Sequence, residues 1–260
     1  MTYSTFHNHT TFCDGTDTPE EMVKAAIELG MPSLGFSAHS YTFFDESYCI
    51  QKKDIPDYLA EVERLKSAYK DQIRILCGVE QDFCSAETTN PYDFVIGSVH
   101  YIEKGGRRLD VDNTFEEQSH DVQTYYHGDY YAYAADYYAQ VAHVQEKTNC
   151  TFVGHFDLVT KFNEGDHLFD TNDPRYREPA IAAARKLCRE GAIFEINTGA
   201  MAKGYRNTPY PAPFILDIIA DEGRPVVLSA DCHSKDKLQY ALKEAEILAH
   251  KHGLRIITEL

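Results

Sequence analysis

TPEEMVKAAIELGMPSLGFSAH, residues 18–39, contains one complete repeat of the fold's pattern. Thr18 stands where an N-cap belongs, Pro19 at the first helical position, and Glu20 and Glu21 in the first turn, where carboxylates meet the positive end of a helix. Gly30 supplies the stop. SLGFSAH then reads as a short apolar strand that ends on His39. Helix, stop and apolar strand delivering a polar side chain at its end: the chain repeats this pattern in both directions.

Upstream, FHNHTTFCDG (6–15) follows a very short first strand and carries His7, His9 and Asp14. Downstream, DIPDYLAEVERLKSAYK places Ile55, Leu59, Val62 and Leu65 near helical spacing. IRILCGVE runs into Glu80 and, beyond the polar stretch 81–93, FVIGSVH runs into His100. YIEKGGRRLDVD reads as a hairpin turning at Gly105–Gly106, DYYAYAADYYAQVAHVQEKT as a helix, and TFVGH as a strand stopping at His155. REPAIAAARKLCREG is a helix ended by Gly191, AIFEIN a strand, APFILDIIADEG a helix, and PVVLSADCH a strand reaching Asp231 and His233. A helix, LQYALKEAEILAHKHG, and a strand, LRIIT, close the chain.

Repeated strand–helix units demand parallel strands with right-handed crossovers, covered by helices. Seven or eight strands suit one closed α/β barrel, with an open doubly wound sheet as the alternative. No Gly/Ser/Pro-rich linker divides residues 1–260, so a single domain is expected.

The excess of 41 acidic over 25 basic residues, a formal charge of −16, argues against a nucleic-acid or anionic-membrane surface. A small anionic substrate would need a local positive centre, which bound metal ions supply. Seven cysteines, odd in number and without a CxxC pair, read as free thiols in the reducing cytoplasm. MTYSTFHNH lacks a signal pattern, and no run of 18 apolar residues follows, so neither export nor membrane insertion is expected. Oligomeric state has no sequence signal.

His7 and His9, His39, Glu80, His100, His155, and Asp231 with His233 each follow the apolar stretch of a different predicted strand. In parallel barrels those ends line one mouth, where active sites lie. Six histidines and two carboxylates exceed the appetite of one ion and suit two or three divalent ions, Zn, Fe or Mn. Such ions lower the pKa of a shared water and neutralise the oxygens of an in-line displacement at phosphorus. His120, His127, His143, His167, His250 and His252 have no such placement and default to surface or packing roles. Tyr130, Tyr133, Tyr137 and Val141 form a helical stripe that reads as a packing face, whereas Tyr101, Tyr125 and Tyr126 are candidates to meet an imidazole ring over the mouth.

The motifs HNH, SAH, GVE, GSVH, GHFD and ADCH, in this order, resemble the polymerase-and-histidinol-phosphatase (PHP) family over nearly the whole chain. GSVHYI and EINTGAMAKGY…YP resemble its histidinol-phosphate phosphatase branch. The resemblance implies a single-domain, distorted parallel (β/α)7-type barrel with a trinuclear metal centre. His7, His9, Glu80 and Asp231 would hold a first metal, Glu80 would bridge to a second on His100 and His155, and His39 and His233 would hold a third. Asp14 stands where many relatives carry a histidine, as a further third-metal ligand. His39, Asp231 and His233 are the implied catalytic residues.

In the branch, an arginine–lysine pair after an Asn-Thr stretch meets the phosphate. Here Asn197–Thr198 is followed by Ala202–Lys203, and Arg206 or Lys161 would supply the missing charge. The implied activity is metal-dependent hydrolysis of a small phosphate monoester, L-histidinol phosphate, to L-histidinol and phosphate in histidine biosynthesis. The alternatives are another phosphoester (nucleotide, oligonucleotide end, sugar phosphate or phosphotyrosine), carbon–nitrogen bond hydrolysis, or a metal-holding structural or regulatory module. Acidic charge disfavours nucleic acid, and the intact ligand set disfavours the module.

Overall fold

The protein is described by a computed structural model covering residues 2–86 and 91–260. Met1 and residues 87–90, part of the polar stretch 81–93, lie outside the described residues. Thr18 Oγ1 accepts from the Glu21 N–H (3.3 Å) and Glu21 Oε2 from the Thr18 N–H (3.0 Å), a reciprocal cap that starts α1 (Pro19–Glu28). Gly30, at φ 67°, ends it as expected. β1 (Ser33–His39), α2 (Ile55–Ala68), β2 (Arg74–Asp82) and β3 (Phe94–Ser98) follow, then the hairpin of β4 (Tyr101–Lys104) and β5 (Arg107–Asp110). Next come α3 (Phe115–Tyr126), α4 (Tyr130–Val141), α5 (Val144–Thr148) and β6 (Phe152–Val153). The chain continues through α6 (Pro174–Arg189), β7 (Phe194–Asn197), the single turn α7 (Gly199–Ala202), α8 (Pro213–Asp221), β8 (Val226–Ser229) and α9 (Leu242–Lys251).

Six strands pair in the order β1-β2-β3-β6-β7-β8, every pair parallel. β1 is buried at all its residues and β2 at all but Arg74, as a parallel sheet covered on both faces requires. The register sets His39 beside Glu80, so both groups reach the same end of the sheet.

The first strand forms no ladder. Residues 5–9 instead make isolated parallel bridges on two sides, Thr5 to Leu34 of β1 and Asn8 to Cys232 beyond β8. The Ser37 N–H donates to the Asn8 carbonyl (2.9 Å), while the His9 N–H donates to Cys232 (2.7 Å) and the Cys232 N–H to His7 (3.1 Å). This segment is the seventh member that brings the two sheet edges together, and its lack of a ladder is what makes the barrel distorted. The expected last strand LRIIT is reduced to one bridge, Val226 to Ile256, because the free edge of β8 is shared. Its start takes residues 255–257, and the chain beyond its end takes residues 7–9.

Phe6, Leu76, Phe94, Ile96, Phe152 and Val227 form a small apolar cluster of their own. Leu76, Gly78 and Glu80 alternate onto one face of β2, so this cluster lies beneath the polar end of the barrel. The tyrosine stripe packs as expected: Tyr133, Tyr137 and Val141 are buried, and the Tyr137 hydroxyl donates to the Phe156 carbonyl (3.2 Å). The helical reading of 129–148 is corrected to two helices, α4 and α5, interrupted at Ala142–His143. α3 went unread. Thr114 caps it, but only Gln118, Val122 and Tyr126 are buried, too few apolar groups to give a period. Among the described residues no helix is long and apolar enough to cross a membrane, and all seven cysteines are free.

Candidate metal centre

Period-two alternation puts His7 and His9 on one side of the closing segment, their ring centroids 5.1 Å apart. β1 ends on His39, β2 carries Glu80, His100 and His155 lie two residues past β3 and β6, and the turn after β8 supplies Asp231, at φ 47°, and His233. All converge. Glu80 Oε1 lies 2.8 Å from His155 Nε2 and 3.3 Å from His100 Nε2, and accepts from the Ser98 hydroxyl (2.6 Å). Its Oε2 lies 2.9 Å from His39 Nδ1, 3.1 Å from His7 Nε2 and 3.5 Å from His9 Nε2. Asp231 Oδ1 is 3.4 Å from His9 Nε2, and Asp14 Oδ2 is 3.1 Å from His233 Nε2. The His9 ring stacks against that of His39 (4.2 Å) and against that of His233 (4.3 Å).

Burial makes this arrangement costly unless something positive joins it. His7 and His9 are fully buried and Glu80 is 1 % exposed, yet His7 Nε2, His9 Nε2 and Glu80 Oε2 make no hydrogen bond. Each such atom costs about 1–3 kcal/mol, so three facing one another mark a place built for cations. Among the described residues, four sets of ligand atoms lie within 4.8 Å of one another: His9, Asp14, His39 and His233; His7, Glu80 and His155; His7, His9 and Asp231; and His39, Glu80 and His100. Nitrogen and carboxylate donors at this spacing fit divalent metal ions. Three of these sets cut across the allocation implied by resemblance, that of His7 with His155 among them. His9 also reaches the Asp14 set, and His39 also reaches Glu80.

The protonation pattern divides the rings: against burial, the surrounding carboxylates lift His7, His39 and His100 above the usual imidazole range, so each must give up a proton to an ion, whereas His9 is already neutral. Burial alone would raise Glu80 and Asp231, but the surrounding imidazoles hold both well below the carboxylate range. Burial, helped by His39 and His233, pushes His9 down to about 3 and keeps it neutral, as a ligand must be. For His39 burial works downward, but Glu80 and Asp14 outweigh it and lift the ring to about 10.

The centre floors a cleft of about 200 Å³. Lys161, 7 % exposed, lines it and donates to Asp112 Oδ2 (3.0 Å) and to the Asp112 carbonyl. Lys203 lines it too, with Nζ 3.5 Å from His233 Nε2. Arg206, the other residue expected to supply the charge, is not among the residues lining it. Its guanidinium donates to the hydroxyl and carbonyl of Thr160 and stands over the Tyr210 ring. Of the three candidate tyrosines only Tyr101 reaches the cleft, donating to Asp45 (2.9 Å). Tyr126 donates to Asp136 instead, and the Tyr125 ring faces Arg107. The ring that meets the imidazoles is Tyr48, 4.9 Å from His39, on a loop without periodicity to read.

Two buried carboxylates that touch proposed ligands escaped the sequence reading. Asp82 Oδ2 accepts from the His100 N–H (2.8 Å). Glu195, in β7, has Oε1 2.7 Å from His7 Nδ1 and Oε2 accepting from the His155 N–H (2.8 Å) and Asn197 Nδ2 (2.9 Å). The signal was an acid inside each apolar run, CGVEQD and IFEIN, since a buried charge must be partnered.

Known proteins share this architecture. A Deinococcus radiodurans protein named "Probable histidinol-phosphatase" is 28 % identical over 97 % of this chain and 94 % of its own length. A Listeria monocytogenes structure described as a candidate histidinol phosphatase superposes with a TM-score of 0.80 at 21 % identity, over 93 % of this chain and 99 % of its own. A histidinol phosphate phosphatase from Lactococcus lactis, solved with zinc, L-histidinol and phosphate, gives 0.70 at 21 % identity, over 98 % and 95 %. These folds are the same TIM-like barrel, here a curled parallel sheet with its helices outside. The PHP domain model matches residues 5–199, three quarters of the sequence, and the chain belongs to the PHP domain family.

Proposed function

We propose that the protein is a metal-dependent phosphomonoesterase that hydrolyses L-histidinol phosphate to L-histidinol and phosphate, a step of histidine biosynthesis. The observation that carries this reading is the cluster of buried, unsatisfied imidazole and carboxylate atoms opening into a cleft with a buried lysine. His7, His9, Asp14, His39, Glu80, His100, His155, Asp231 and His233 are the proposed ligands of two or three ions, zinc, iron or manganese. Bound there, the ions supply Lewis acidity toward the ester's phosphoryl oxygens and a water of lowered pKa. Lys161, fixed by Asp112, and Lys203, beside His233, add positive charge for the phosphate. His39, Asp231 and His233 border the reacting atoms and are the proposed catalytic residues.

The rest of the cleft favours histidinol over other leaving groups. Asp45, Asp110, Tyr48 and Tyr101 line it, carboxylates and rings suited to an ammonium and an imidazole and unsuited to a second anion. The relatives' names, and the zinc, L-histidinol and phosphate in the Lactococcus structure, support the same substrate. Residues 1–260 act as one domain on this reading, because Asp231 and His233 lie beyond the stretch that the family model matches. The seven unpaired cysteines favour the cytoplasm. Phosphate release from histidinol phosphate, fructose 1-phosphate, AMP and p-nitrophenyl phosphate tests the proposal. Histidinol phosphate is expected to lead in kcat/KM by orders of magnitude. A flat profile would reduce the protein to a general phosphatase, and inactivity with metals loaded would leave a binding module.

A further inference from the structure

Glu195 has no place on the cleft wall, yet three proposed ligands depend on it. It is fully buried, and its two oxygens divide their work. Oε2 faces only donors, the His155 N–H (2.8 Å) and the side-chain amide of Asn197 (2.9 Å). The amide's orientation is itself settled, because Asn197 Oδ1 accepts from the Gly199 N–H (2.8 Å), which leaves Nδ2 for Glu195 and for Asp231 Oδ2 (3.2 Å). Oε1 faces His7 Nδ1 at 2.7 Å. A carboxylate with two donors on its other oxygen can only accept here, so the proton of the pair sits on His7 Nδ1.

We infer that Glu195 is a positioning residue that dictates the tautomer of His7. It keeps Nδ1 protonated, so that the lone pair of Nε2 is presented to the cluster, while its other oxygen and Asn197 hold His155 and Asp231 in place. The inference rests on the reading of the cluster as a metal centre. Nε2 of His7 is the atom that lies 3.1 Å from Glu80 and 3.6 Å from Asp231 and makes no hydrogen bond of its own. A hydrogen there would block ligation.

Glu195→Gln separates this role from mere packing, since the side chain keeps its size. Its amide oxygen must stay with the two donors, which turns the NH2 toward His7 Nδ1. Nδ1 then has to accept, and the proton moves to Nε2. Nitrogen NMR of the imidazoles in the zinc-loaded protein should find His7 protonated at Nδ1 with Nε2 on the metal in the wild type, and that pattern lost in E195Q. Zinc affinity measured by chelator competition should fall about 10- to 100-fold in E195Q. A zinc-loaded wild type whose His7 is protonated at Nε2 overturns the inference without any variant, which covers the case where E195Q fails to fold. Zinc held equally by both proteins overturns the inference alone, whereas a wild type that binds no zinc overturns the metal-centre reading beneath it.

Discussion

At the scale of single residues the cleft sets opposing demands on neighbouring carboxyls. Burial first, and Asp112 second, push Asp110 up to about 7, whereas Lys161 and His100 overcome burial and draw Asp112 down to about 2. Asp110 therefore has a folded pKa above its unfolded value of roughly 3.9. Its favourable contribution is complete below that value and is lost as pH climbs through 7. Asp110→Asn keeps an acceptor for the Asp112 and Asn113 N–H groups (2.8 Å each), so it should match the wild type at pH 4 and exceed it at pH 8 in denaturant midpoint. A difference independent of pH would contradict this. The same scale shows why some residues were readable and others hidden. His7, His9, His39, Glu80, His100, His155, Asp231 and His233 stand at the ends of apolar runs, where a polar residue has no packing reason to recur. Glu195 lies inside such a run, and Tyr48 comes from a loop, where nothing in the spacing says which way a ring will turn.

Among elements, the clearest constraint lies between β2 and β3. A Cβ on Gly78 would come within 2.3 Å of the Phe94 ring, which fills the space under the metal centre. Gly78→Ala must displace that ring and should cost about 1–3 kcal/mol, seen as a lower urea midpoint at unchanged slope. An unchanged midpoint would mean the apolar plug has slack. α1 and the β4–β5 hairpin were legible because Thr18, Gly30, Gly105 and Gly106 each act locally. The start of α9 was not. Ala241 takes φ 53° and delays the helix to Leu242, although its sequence continues the helical pattern upstream. The reduction of LRIIT to a single bridge was hidden for a different reason, since competition for one sheet edge depends on segments more than two hundred positions apart.

For the molecule as a whole, the seam between the two sheet edges carries proposed function without a strand ladder. It rests on a few backbone bonds around Asn8, His9 and Cys232, with four proposed ligands flanking it. Removing metal with a chelator should accelerate amide exchange at His9 and Cys232 while leaving the centre of β2 protected; uniform protection would uncouple seam and centre. The −16 formal charge fits the same picture, with positive charge drawn into one cleft rather than spread over a surface. Such a seam also orders events in time. A polypeptide leaving the ribosome displays His7 and His9 long before Asp231 and His233 exist, so it can offer an ion only a partial cage. Secure capture then waits for the barrel to close, and a loaded centre reports that the two sheet edges have met.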